Sequence, residues 1–116
     1  MDADPRVLAD FARRLAGEVG QPHRSRGAAL LARQALESAL DLHWRRRAPG
    51  LGECSMRTQL ICLPEFSADP ELAGRVSFVW WALSRVCHHH PSELPPSERE
   101  LAELLDVVDD LVGTVV

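Results

Sequence analysis

Apolar residues recur at spacings of three and four over five stretches of this chain, and nowhere alternate with period two over a strand's length, so the pattern predicts an all-α fold. Asp4 and Pro5 form an N-cap followed by proline at the first helical position, and Val7, Leu8, Phe11, Leu15 and Val19 then share a face until Gly20. A second, longer helix opens near Ser25 and runs to Ala48-Pro49-Gly50. Its stripe of Leu30, Leu31, Ala35, Leu36, Ala39, Leu40, Leu42 and Trp44 is broad enough for a central helix with several neighbours. A loop with Gly50 and Gly52 leads to a short helix around residues 55–63, stopped by Pro64.

Asp69 and Pro70 repeat the cap-plus-proline signature before a fourth helix, which buries Leu72, Val76, Val79, Trp80, Leu83 and Val86 or Cys87. Pro91 forbids its continuation and biases His90 away from helical dihedrals. Ser97-Glu98-Arg99-Glu100 is a capping box, and Leu101, Leu104, Leu105, Val108, Leu111 and Val112 form the seam of a final helix. The expectation is a single-domain bundle of four to five helices over residues 1–116, with no repeat, low-complexity tract or Gly-rich phosphate loop.

Composition narrows the class without naming a function. At 46% hydrophobic and 26% charged residues the chain reads as globular, and no apolar run approaches the ~18 residues of a membrane span. The acidic start Met1-Asp2-Ala3-Asp4 is unlike a secretory signal, so a cytoplasmic location without membrane partners is expected. Cys54, Cys62 and Cys87 are odd in number and lack a CxxC spacing, which argues for reduced thiols. The net charge of −4 hides an asymmetry: residues 1–50 hold nine arginines against six acids, and residues 51–116 four arginines against eleven acids. Every basic residue is arginine, so arginine abundance alone is no sign of phosphate binding. Arg45-Arg46-Arg47 reads either as a phosphate contact or as a solvated helix end complementing the helix dipole.

The chemistry concentrates in Arg85-Val86-Cys87-His88-His89-His90-Pro91, where an apolar helix meets a proline. Arginine holds phosphate bidentately and histidine moves protons near neutral pH, so together they can bind and cleave a phosphodiester. In an unbroken helix Arg85 and His89 share a face, His88 lies nearby, and His90 points about 140° away, taking ~100° per residue. Ser84 and His88 are candidate phosphate contacts, and Arg57, with Gln59, is a candidate lining residue of a cleft. Of Trp80 and Trp81, ~100° apart, one is expected in the core and the other toward a partner subunit or cleft.

On two stretches the chain resembles the HEPN family, the small α-helical nucleotide-binding and ribonuclease domains of higher eukaryotes and prokaryotes. Ala32-Arg33-Gln34-Ala35-Leu36-Glu37-Ser38-Ala39-Leu40 is similar to that family's long second helix, and Arg85-x4-His90 fits its arginine, four-to-six residue gap, histidine motif. Val86 departs from the pattern, since nuclease members commonly carry a polar residue there; His88 and His89 are placed to replace that contact. The resemblance implies a homodimer with a composite site, an RNA or nucleotide substrate, metal-independent cleavage without a cofactor, and an antitoxin or other regulatory partner. It points to His90 as the proton-transfer residue, whereas helix geometry points to His89.

Two other readings compete. In a catalytically silent interaction module, the acidic last helix binds a basic partner and Arg85 pairs with Glu93 or Glu100. In a metal-binding protein, Cys87, His88, His89 and His90 ligate zinc with help from Cys54, Cys62 or His43, although consecutive residues diverge and no paired-ligand spacing supplies the rest. A metal site is therefore not expected, and Cys87 reads as a small buried apolar residue.

Overall fold

The computed structural model describes residues 4–17, 22–88 and 96–115. Among these there is no strand; the chain forms α1 (Pro5–Ala16), α2 (Pro22–Arg47), α3 (Met56–Cys62), α4 (Pro70–Cys87) and α5 (Glu98–Val115), with 3₁₀ turns at Pro49–Glu53 and Leu63–Phe66. No described helix is long and apolar enough to cross a membrane.

The start signals operate as the side chains require. Asp4 accepts from the Arg6 N–H at 2.9 Å, Ser55 from Thr58 at 3.2 Å, Asp69 from Leu72 at 3.1 Å and Ser97 from Glu100 at 3.1 Å, each pairing an N–H that the helix itself leaves open. A cap of this kind typically contributes about 1 kcal/mol. α2 begins at Pro22 rather than near Ser25, using the same proline rule as its neighbours. Pro64 does not end the third helical stretch outright; it sits inside the 3₁₀ turn that prolongs it to Phe66.

α2 is the central helix, packed on α1, α4 and α5 and on the Pro49–Glu53 turn. Both α1 and α2, which pack on each other, bury small side chains: Ala9 and Ala12 on α1, and Ala28, Ala29, Ala32 and Ala35 on α2. This places the α1 stripe differently from the periodic reading. Pro5, Ala9 and Ala12 are buried, Leu8 and Leu15 only partly, while Val7 and Phe11 are 49% and 51% exposed. Close helix approach selects the alanine face, because small residues let the axes come near and larger side chains fit only at its edges. Leu30 of α2 is likewise exposed.

Elsewhere the core matches the expected seams. Leu36, Leu40, Val76, Val79, Leu83, Leu101, Leu105 and Val108 are fully buried, each leucine removing apolar surface worth about 1.5–3 kcal/mol. Trp44, with no exposure, stacks edge-on against Phe66 and donates from Nε1 to Gln59 Oε1 at 2.9 Å. Gln59 passes the restraint on, donating from Nε2 to the Cys54 carbonyl at 2.9 Å and so tying α3 to the loop before it. A second tie joins α1 to α5: Arg13 reaches Asp106 at 3.0 Å and Asp109 at 2.5 Å. These pairs lie at the surface and contribute less than about 1 kcal/mol each.

Candidate functional site

α4 has two faces. Leu72, Val76, Val79 and Leu83 point into the core, and on the opposite side Phe78, Trp81, Arg85 and His88 follow one another at spacings of three, four and three, a continuous outward stripe. Phe78 is 70% and Trp81 53% exposed. These four residues, with Ala82 and Ser84, line an open cleft of about 450 Å³. Arg85 makes no ion pair among the described residues. The pairing with Glu100 is not formed, and Glu93 lies outside the described residues.

The tryptophans divide as their angular separation requires. Trp80 is half-buried against the core with the Arg33 guanidinium 5.6 Å from its ring, while Trp81 stands out in the cleft, the two rings edge to face at 4.9 Å. Ser84 is 6% exposed, and its Oγ is covered from solvent without a hydrogen-bond partner among the described residues. A buried hydroxyl left unpaired costs about 1–3 kcal/mol, so it marks a place where the fold gives up stability.

The α-helix ends at Cys87. His88 closes it with φ −91° and ψ 50°, its N–H bonded to the Ser84 carbonyl at 2.9 Å. The shared face of Arg85 and His89 assumed an unbroken helix through residue 89, and that condition is not met: the backbone leaves the helical region at His88, three residues before the proline. The structure brings Ser84, Arg85 and His88 to one cleft. His89 and His90 lie outside the described residues. Arg57 is exposed on α3 and does not line this cleft, and Gln59, read beside it as a cleft residue, is instead the buried partner of Trp44.

Neither cysteine chemistry nor the arginine run adds to the site. Burial pushes the Cys87 thiol up, outweighing the nearby Arg33, so the thiol form is held. All three cysteines are free. Among the described residues no group of three or more histidine, cysteine or carboxylate side chains is placed to hold a metal ion. Arg45 pairs with Asp41 at 2.8 Å and Arg46 donates to the Val115 carbonyl, so two arginines of the run are used within the fold, while Arg47 is exposed near His43.

What the periodic reading missed is His43 itself, which has no motif around it. The ring is half-buried beside Trp44, and its pKa is lowered from 6.5 by burial first and the Arg47 charge second, against a hydrogen bond to the Phe66 backbone. Only tertiary contacts could reveal it, since Phe66 is distant in sequence. Comparison with protein-family models, with curated proteins and with solved structures found no match for this chain.

Proposed function

We propose that this protein is a HEPN-like domain acting on RNA or nucleotides as a homodimer, and that it cleaves RNA without a metal through Arg85 and a histidine of residues 88–90. The observation that carries the reading is the cleft on α4, which gathers a guanidinium without an ion pair among the described residues, an imidazole and two exposed aromatic rings. Each feature has a use on RNA. Arg85 binds the scissile phosphate and stabilises the charge that grows on its oxygens. A histidine removes the 2′-hydroxyl proton as that oxygen attacks phosphorus, and a second histidine or Arg85 from the other subunit protonates the departing 5′-oxygen. The products are a 2′,3′-cyclic phosphate and a 5′-hydroxyl. Trp81 and Phe78 offer faces on which unpaired bases stack, or which the second subunit covers.

A second reading, a silent interaction module, draws on Val86 after Arg85 and on the exposed carboxylates of α5, including Glu98, Glu100, Glu103 and Asp110, which repel a polyanion. One experiment separates the two. Purified protein is incubated with total RNA and labelled oligonucleotides in excess chelator, comparing wild type with Arg85→Ala, His88→Ala, His89→Ala and His90→Ala. Cleavage that survives chelator and disappears with Arg85→Ala and one histidine variant is the expected result. A folded, dimeric wild type that leaves every RNA intact overturns the nuclease reading in favour of the module.

A further inference from the structure

α2 carries another arginine–histidine pair, in a setting opposite to that on α4. His43 and Arg47, one helical turn apart, both line a cavity of about 160 Å³ between the end of α2, the 63–68 segment, the start of α4 and the end of α5. Its walls are chiefly Leu63, Phe66, Leu72, Val76, Leu111 and Val115, with the hydroxyl residues Ser67 and Thr114 among them. Among the described residues no carboxylate lines it. The residues contributed by the 63–68 segment, α4 and α5 carry no titratable side chain, so Arg47 is its permanent charge and His43 its titratable group among the described residues.

The polar end is chemically incomplete. The His43 ring donates to the Phe66 carbonyl, while Nε2 is covered from solvent and has no hydrogen-bond partner among the described residues. In the neutral ring Nε2 is a lone pair facing no donor; in the protonated ring it is an N–H facing no acceptor. Arg47 makes no ion pair among the described residues. An anion in the cavity pairs with the guanidinium and, by offsetting the Arg47 charge, favours the protonated His43 ring. Apart from the Ser67 and Thr114 hydroxyls the remaining walls are apolar, and they favour a ligand with a hydrocarbon body. An apolar cavity of about 150 Å³ is known to hold one benzene molecule, so the space here suits a body of that size.

We propose that this cavity binds a small monocarboxylate with an apolar body, of the size of benzoate or a branched short-chain fatty acid. The hydrocarbon part lies among Leu72, Val76 and Leu111, and the carboxylate pairs with Arg47 beside the His43 ring. The proposal is independent of the cleft on α4. Binding takes up one proton from solvent, because the carboxylate offsets the Arg47 charge that, after burial, holds the free imidazole low. Affinity therefore rises as pH is lowered toward and below 6.5, the ordinary histidine value. Inorganic phosphate lacks a body to bury and binds more weakly.

The test titrates the full chain with sodium benzoate while following the His43 imidazole by NMR, with inorganic phosphate and benzyl alcohol as controls. Expected are saturation at one equivalent with Kd about 1 mM or tighter, an upward shift of the His43 titration, proton uptake in calorimetry, and weaker binding of both controls. Arg47→Gln, a surface change, weakens benzoate about tenfold, and Val76→Phe abolishes binding by filling the apolar end. No saturable change at His43 up to about 10 mM benzoate in folded wild type overturns the proposal. So does equal affinity in Arg47→Gln, or phosphate binding as tightly as benzoate.

Discussion

Two arginine–histidine pairs, Arg85/His88 on α4 and His43/Arg47 on α2, are made of the same groups at nearly the same spacing and differ in everything that surrounds them. The first opens to solvent beside Phe78 and Trp81, with room for a polymer to cross. The second borders a cavity about a third of that size, with mostly apolar walls, an exposed Arg47 and a half-buried imidazole whose proton affinity is lowered. An open pair reads phosphate on something large; an enclosed one reads a single anionic end on something small. Residue type sets which chemistry is available, and burial sets the size and charge of what can use it.

The sharpest way to break this contrast is to exchange the lesions. Arg85→Ala removes the cation that meets the phosphate and is expected to lower RNA cleavage by about 10²–10³-fold, the usual loss for a group that stabilises developing charge. Arg47→Gln leaves cleavage unchanged. Equal losses from both, measured as initial rates on one labelled oligonucleotide, would show that arginine content and not the cleft controls cleavage.

Trp81→Ala tests the next element of the open site. The side chain is 53% exposed and its packing partner is chiefly Trp80, so unfolding in urea should move by no more than about 0.5 kcal/mol. Affinity for single-stranded RNA should fall by about 1–3 kcal/mol, the scale of one lost base stack. A large loss of stability with unchanged RNA affinity would make Trp81 part of the packing instead.

The fold was readable because its signals are local. Asp4, Ser55, Asp69 and Ser97 each accept from an N–H two or three residues on, and proline positions mark the starts. The errors came where a choice between faces is made by another helix: Val7 and Phe11 belong to an apolar stripe, yet on α1, packed against α2, Ala9 and Ala12 are the buried residues. The candidate site was legible in part. Ser84, Arg85 and His88 come to one cleft as their spacing suggests, and α4 ends at Cys87, where its expected apolar stripe ends, so the condition for Arg85 and His89 to share a face is not met. His43 entered the sequence reading only as a possible zinc ligand, since its environment is assembled from α2, α4, α5 and the 63–68 segment.

The enclosed pair should also register in stability against pH. His43 has a folded pKa below the ordinary 6.5, so the neutral ring is favoured by the fold and the stability it contributes is complete above 6.5. As pH falls through 6.5 the unfolded chain takes up a proton before the folded one does, and stability declines until the folded ring protonates too. His43→Phe should flatten this part of the profile, read as urea midpoints on either side of 6.5. An unchanged slope would place the pH dependence in other histidines. The corresponding change at the open pair, His88→Ala, should leave the His43-dependent slope intact.

The smallest effect, and the one that cuts across both kinds of site, belongs to Ser84. Its hydroxyl sits under the cleft, covered and unpaired, so it behaves like a buried polar group even though the residue lines an open surface. Ser84→Ala removes that unpaired group and should raise stability by about 1 kcal/mol, the low end of the cost of an unsatisfied hydroxyl. If the hydroxyl is kept for a phosphate that arrives with RNA, the same variant should cleave about tenfold more slowly, the loss of one hydrogen bond of about 1.4 kcal/mol. Greater stability with slower cleavage is the expected outcome, a trade between fold and function at a single atom. Greater stability with unchanged cleavage would remove Ser84 from the site and leave Arg85 and the histidines to carry it.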